Sequence, residues 1–208
     1  MGRVWAIVVA AGAGRRFGGH KQYEPLAGRR VVDWSLEAAR AAADGVVLVV
    51  AAGRAGDAEP AADAVVAGAD TRSGSVRAGL AAVPADAEVI VVHDGARPLA
   101  GADLFAAVVR AVREGADAAV PGVPVHDTLR SRAGGVIDRD GVVAVQTPQA
   151  FRAGTLRDAH RGGDEATDDA SLVEAAGGKV VVVDGSPTNL KITRPSDLVV
   201  AEALLRAR

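Results

Sequence analysis

Val4-Trp5-Ala6-Ile7-Val8-Val9-Ala10-Ala11-Gly12-Ala13-Gly14-Arg15-Arg16-Phe17-Gly18-Gly19-His20-Lys21-Gln22 joins an unbroken apolar run to a loop of four glycines and three cations. The apolar part, Val4 to Ala10, predicts a strand buried on both faces, as in a parallel sheet covered by helices. The loop predicts an anion site. Glycine lets backbone N–H groups approach an anion closely, and Arg15, Arg16 and Lys21 bring mobile positive charge to the same place. Two common phosphate loops do not fit. The dinucleotide fingerprint needs glycine where Phe17 stands, and no Gly-Lys-Ser/Thr follows for a P-loop. Glycine alone argues little, because 25 of the 208 residues are glycine; it is the Arg-Arg pair and Lys21 that favour anion binding.

Outward from this stretch, strand-like and helix-like runs alternate. Val31 to Ala43 reads as a helix, Val46 to Ala51 as a buried strand, Asp57 to Ala62 as a short helix and Ala64 to Ala67 as a short strand. Ser75 to Val83 reads as a helix, and Glu88 to Val92 as a strand running into His93-Asp94-Gly95-Ala96-Arg97-Pro98. Ala102 to Glu114 carries Leu104, Phe105, Val108, Val109 and Val112 at helical spacing, and Ala116 to Val120 is again a strand. Between Pro121 and Gln146 prolines and glycines break the pattern, which predicts a β-arm leaving the sheet at about residues 121–147. Helices follow near Phe151 to His160 and over Asp168 to Ala176, then strands at Val180 to Val183 and Leu190 to Thr193. The closing helix spans Pro195 to Arg208 with proline at its start. The alternation predicts an α/β fold with a mostly parallel sheet and helices on both faces, in one domain over residues 1–208.

Composition narrows the function. The hydrophobic fraction of 49% supports a sizeable core, and 3% aromatics make that core mainly aliphatic. A net charge of −2 argues against general nucleic-acid binding. No cysteine occurs, which removes thiolate metal sites and Cys nucleophiles. The apolar runs are too short to span a membrane, and the N-terminus shows no signal segment, so a cytoplasmic protein is expected.

Ligands of such sheets bind beyond the carboxyl ends of the strands, and the candidate residues fall there. Asp94, at a strand end, suits a Mg²⁺ ligand, and equally a helix cap or a salt bridge to Arg97. Asp70 and Ser75 flank a loop containing Arg72. Ser75 suits a helix N-cap first, and contact of the pair with a base or ribose is by itself the weaker reading. Lys191 lies between apolar residues, where it serves either a phosphate or an edge strand guarded against aggregation. Asp127, Thr128 and Arg139 belong to the arm. No G-x-S-x-G elbow occurs, and Asp138-Arg139-Asp140, the one Asp-x-Asp, lies in the arm rather than at a strand end.

Taken together and in order, Ala10-Ala11-Gly12-x-Gly14-x-Arg16, Lys21-Gln22-Tyr23, Asp70-x-Arg72-x-x-Ser75-Val76, Val92-His93-Asp94-x-Ala96-Arg97-Pro98, Pro124-Val125-x-Asp127-Thr128, Gln146-Thr147-Pro148-Gln149, Thr167-Asp168-Asp169-Ala170-Ser171 and Asn189 to Pro195 resemble the 2-C-methyl-D-erythritol 4-phosphate cytidylyltransferase family. The resemblance implies a three-layer, Rossmann-like sheet of the nucleotide-diphospho-sugar transferase type with a protruding β-arm. It implies CMP transfer from CTP to methylerythritol phosphate with Mg²⁺. Ala10, Ala11, Gly12 and Gly14 would line the CTP site, and Asp70 and Ser75 would contact cytidine. Arg16, Lys21 and Lys191 would act on the phosphates, Asp94 would support the metal, and Thr128 and Arg139 would hold the acceptor. The resemblance also implies a homodimer whose arm completes the partner's acceptor site. A cytidylyltransferase for another polyol phosphate such as ribitol 5-phosphate, a non-catalytic nucleotide-binding module and a nucleotide-sugar glycosyltransferase remain as alternatives.

Overall fold

The computed structural model describes residues 2–207. Its first strand, β1 (Arg3–Ala10), lies at the centre of an eight-stranded sheet. Parallel neighbours flank it: β4 (Gly45–Val50) on one side and β6 (Ala87–Asp94) on the other. The short strands β2 (Pro25–Leu26) and β3 (Arg29–Arg30) form a separate hairpin before α1 (Val31–Ala42). Strand β5 (Ala64–Ala67) extends the sheet beyond β4, again parallel.

Past β6 the direction reverses. Strand β11 (Gln149–Arg152) is antiparallel to both β6 and β7 (Ala118–Pro124) and sits between them. Strand β12 (Val180–Asp184) pairs parallel with β7. The arm contains β8 (Leu129–Arg130), β9 (Val136–Ile137) and β10 (Val143–Val145); β8 and β9 form their own hairpin, and β10 returns to pair with β7.

The two faces of β1 show why this sheet is three layers deep. Val4, Ala6, Val8 and Ala10 enter one core, against Val32 and Leu36 of α1 and Phe105 and Val108 of α3 (Ala102–Arg113). Trp5 and Ile7 enter the other, against Val76 and Leu80 of α2 (Arg72–Ala82), Leu156 of α4 (Ala153–Ala159) and Val173 of α5 (Asp169–Ala175). Period-two alternation thus gives an apolar residue to each face. A third cluster, Leu26, Val31, Ala96, Leu99, Ile192 and Ala201, lies beneath the loops at the carboxyl end of the sheet and joins α6 (Pro195–Arg206) to them.

Several expectations are corrected. No helix forms over Asp57 to Ala62; a short 3-10 turn at Ala52–Arg54 precedes irregular chain there. Helix α2 starts at Arg72 with Thr71 as its cap, whose Oγ1 accepts the Gly74 N–H at 3.0 Å, so Ser75 lies inside the helix and does not begin it. Phe151 belongs to β11, so the expected helix starts only at Ala153. Leu190 to Thr193 is not a strand, and the Ile192 N–H is instead bound by the Ala96 carbonyl at 2.8 Å. Strand β7 runs on to Pro124, past the expected start of the arm. The last residue of the expected closing helix, Arg208, lies outside the described residues.

Candidate active site

The cleft forms where β1 and β6 end side by side, Val9 opposite Asp94. Its glycine loop is fixed by its own backbone. The Gly14 carbonyl accepts the N–H groups of Phe17 and Gly18 at 2.8 and 2.9 Å. Gly14 has φ +62°, and a Cβ there would lie 1.8 Å from the Gly19 carbonyl oxygen, so no other residue fits. Gln22 completes the loop from below. Its buried amide donates to the carbonyls of Ala10 at 2.7 Å and Gly12 at 3.1 Å. Those carbonyls are turned inward, and the loop's other side is left for a ligand.

A cavity of about 560 Å³ opens above this loop. Ala10, Ala11, Gly12, Gly14, Arg16, Lys21, Asp70, Ser75, Asp94 and Lys191 all border it. Thus every expected nucleotide, phosphate and metal residue comes to one place, from segments as far apart as Ala10 and Lys191. Thr128 and Arg139 do not. They are exposed on the arm, where the Arg139 guanidinium donates to the His126 carbonyl.

Asp94 is the electrostatic centre. Lys191 Nζ lies 2.8 Å from its Oδ2, Arg97 Nε 3.5 Å from the same oxygen, and Arg72 Nε 4.0 Å from Oδ1. Burial works to raise its pKa, but the charges of Lys191, Arg72 and Arg97 outweigh burial and hold the carboxyl well below its ordinary range. The salt bridge to Arg97, one of the alternatives for Asp94, forms, and it is one of three. Lys21, partly buried, has its pKa lowered by burial and then by the neighbouring charge of Lys191. Lys21 and Lys191 border one cleft with this single carboxylate, and the surplus positive charge is what a polyphosphate can neutralise.

The Lys191 loop is held as tightly as the glycine loop. Asn189 is buried and donates to the Thr147 carbonyl at 2.9 Å, while Arg97 donates to the Asn189 carbonyl at 2.8 Å. Thr147 also accepts the Asp94 N–H at 3.0 Å, so one threonine ties both segments. On the opposite wall, Ser75 Oγ accepts the Ala69 N–H at 3.1 Å and lies 2.9 Å from the Thr71 carbonyl. Its hydroxyl therefore shapes the loop that carries the exposed Asp70. Sequence reasoning missed Gln22, Thr147 and Asn189 as organisers, because their partners are backbone groups of segments separated along the chain.

Among the described residues no group of three or more His, Asp or Glu side chains is placed to hold a metal ion. Asp94 offers one carboxylate to the cleft, with Oδ1 its less engaged oxygen. That fits a Mg²⁺ carried chiefly by substrate phosphates, since Mg²⁺ is commonly held by one or two carboxylates plus phosphates and water. No helix among the described residues is long and apolar enough to cross a membrane.

A family model described as IspD, 2-C-methyl-D-erythritol 4-phosphate cytidylyltransferase, matches residues 4–207. The chain is 44% identical to the enzyme of that name from Pelotomaculum thermopropionicum, over all of this chain and 96% of the relative. It is 42% identical to that of Parasynechococcus marenigrum, covering 97% of each. The crystal structure of the Thermus thermophilus enzyme superposes with a TM-score of 0.82 at 37% identity, covering 96% of this chain and 98% of that one.

Proposed function

The chain belongs to the 2-C-methyl-D-erythritol 4-phosphate cytidylyltransferase family, and from that premise we infer its reaction: it transfers CMP from CTP to 2-C-methyl-D-erythritol 4-phosphate. The products are 4-diphosphocytidyl-2-C-methyl-D-erythritol and pyrophosphate, in the non-mevalonate route to isoprenoid precursors. An oxygen of the acceptor phosphate attacks the α-phosphorus of CTP. The bond from that phosphorus to the bridging oxygen breaks, and pyrophosphate leaves with the electron pair. The acceptor oxygen is already ionised, so no general base is needed. The obstacle is the meeting of two polyanions, which fixed cations and correct positioning overcome.

The observation that carries this reading is the convergence of Lys21, Lys191 and Asp94 on one cleft above a rigid glycine loop. Backbone groups of Ala10, Ala11, Gly12 and Gly14 receive the nucleotide, and Asp70, with the wall shaped by Ser75, faces its cytidine. Arg16, Lys21 and Lys191 hold the triphosphate and oppose the charge that grows at the α-phosphorus and on the departing pyrophosphate. Asp94 would hold Mg²⁺ from the protein side, and the ion would supply further neutralising charge at the phosphates.

Thr128 and Arg139 bind the acceptor in a partner subunit, so that two chains share each site as a homodimer. Exposed side chains support this. On the arm Val136 is 64% exposed and Ile137, Val143 and Val145 are also exposed, and Val182 of the neighbouring β12 is 56% exposed, an apolar surface suited to a second chain. The chain acts as one catalytic domain with the arm as its extension, in the cytoplasm, where CTP is at hand. The test is pyrophosphate release with CTP, Mg²⁺ and 2-C-methyl-D-erythritol 4-phosphate, with ribitol 5-phosphate in parallel. Turnover with the first acceptor alone is expected. Turnover with the second alone would overturn the acceptor assignment, and CTP binding without turnover on either would favour a binding module.

A further inference from the structure

Behind the cleft wall lies a row of charged side chains that the reaction does not account for. Asp169, at the first position of α5, is fully buried. Its Oδ2 accepts from Arg72 Nη1 at 2.8 Å, and its Oδ1 lies 3.0 Å from Nε2 of His160, which is itself buried at the end of α4. Arg72, the first residue of α2, borders the cavity and turns Nε towards Asp94 Oδ1 at 4.0 Å. The row therefore runs His160, Asp169, Arg72, Asp94, across α4, α5, α2 and β6. We propose that Asp169 and His160 are positioning residues for the transfer, acting through Arg72 to fix the carboxylate of Asp94 where the substrates meet. This rests on the reading of the cleft given above.

Three features favour positioning over mere packing. First, a buried carboxylate is costly, and well-packed apolar residues commonly replace a buried ion pair without loss of stability. Helix capping does not explain Asp169 either, because Asp168 is the cap of α5 and accepts the Ser171 N–H at 3.0 Å. Second, His160 has one visible polar task. Its Nδ1 is buried without a hydrogen-bond partner, and Nε2 points at Asp169. Third, a planar guanidinium holds its donors in fixed directions, so Arg72 addresses two carboxylates on different elements in one set orientation, whereas a lysine ammonium is a compact charge with freely rotating donors. With Nη1 anchored on Asp169, the guanidinium keeps its Nε facing Asp94 Oδ1 at 4.0 Å and stays out of the space of the triphosphate. Asp94 Oδ1 then stays less engaged than Oδ2, which Lys191 holds.

The test is a double-mutant cycle on the full chain, read by pyrophosphate release and by the Nε–H resonance of Arg72. Asp169→Asn is expected to lower kcat about 10- to 100-fold, as small misplacements near reacting groups do, with the KM for CTP changed less than about threefold. It is also expected to abolish the ordered, slowly exchanging Arg72 signal. In an Arg72→Gln background the same change should add less than about threefold, because residues acting through one another are not additive. His160→Phe, which removes the donor and keeps a ring, should give a smaller loss that also vanishes in that background; it serves if Asp169→Asn fails to fold. An unchanged Arg72 resonance in the Asp169 or His160 variant would overturn the proposal, and so would losses that multiply with Arg72→Gln. Because the resonance needs no turnover, it judges the positioning even if the wild-type chain is silent with the chosen acceptor, a result that would count only against the assigned reaction.

Discussion

The cleft and the arm are built in opposite ways. Every wall of the cleft is fixed from within the chain: Gln22 from below the glycine loop, Thr147 between Asp94 and Asn189, and Ser75 across the turn from Ala69 to Thr71. The arm pairs with the sheet through β10 against β7, and its hairpin, β8 with β9, has two residues in each strand. Val136, Ile137, Val143 and Val145 on the arm are exposed, whereas nearly all the apolar side chains of β1 and β6 are enclosed. A nucleotide site can thus be complete in one chain, while Thr128 and Arg139 sit on a segment whose apolar surface is exposed. On the proposed reading the chemistry that every turnover repeats is preorganised, and the contact that selects the acceptor is supplied by assembly.

The contrast can be broken by mutation. The largest expected effect on stability is at Phe151, fully buried on β11. Phe151→Ala should cost about 3–5 kcal/mol in denaturant unfolding, and a cost below about 1 kcal/mol would mean that the β6–β11–β7 join is loose. Next, Lys21→Ala should lower kcat/KM about 10²- to 10³-fold, the usual effect of removing one fixed donor to transition-state charge, with the unfolding midpoint unchanged. Near-normal turnover would remove Lys21 from the phosphate site. Arg139→Ala should raise KM for the acceptor about 10-fold or more and leave CTP affinity alone, since a lost charged hydrogen bond is worth about 1.5–3 kcal/mol. Altered CTP binding in this variant would place Arg139 at the wrong substrate.

A smaller effect concerns pH. His93 is buried beside Phe105, with ring centroids 5.1 Å apart. Burial, with the charge of Arg97 working the same way against Asp94, pushes its pKa down to about 4 from an ordinary value of 6.5. Between those values the unfolded chain binds the proton that the folded chain refuses, so stability present above pH 6.5 is lost as pH falls towards about 4. His93→Leu should flatten that part of a melting-temperature profile. The smallest effect is expected on the arm itself. Val136→Ser should change single-chain unfolding by less than about 0.5 kcal/mol yet weaken self-association at least tenfold in sedimentation.

The same contrast governs what the sequence reveals. Strands β1, β4 and β6 are legible because both faces are buried, which leaves runs such as Val46-Val47-Leu48-Val49-Val50 with nothing polar. The glycine loop is legible as an anion site from its cations, whereas Asp94 and Lys191 taken singly suit structural roles as well, and only the ordered set of motifs around them points to chemistry. Strand β11 is not, because Gln149-Ala150-Phe151-Arg152 is too short to show a period and its residues favour helix as much as strand. Only the slot between β6 and β7 makes it extended. Lys191 reads as a strand residue for the opposite reason: its apolar neighbours Leu190 and Ile192 serve the cluster beneath the loops, not a sheet. Asp169 and His160 look like ordinary helix residues until folding places them behind Arg72.

The most direct measurement is complementation between two damaged chains. Lys21→Ala and Arg139→Ala are purified separately, mixed under conditions that exchange subunits, and assayed for pyrophosphate release with CTP, Mg²⁺ and 2-C-methyl-D-erythritol 4-phosphate. If the arm of one chain completes the cleft of the other, each mixed dimer holds one site with both defects and one with neither, so turnover rises well above that of either variant alone. If subunits exchange and the mixture shows only the average of its parts, each site is confined to one chain, and the account of the arm is wrong.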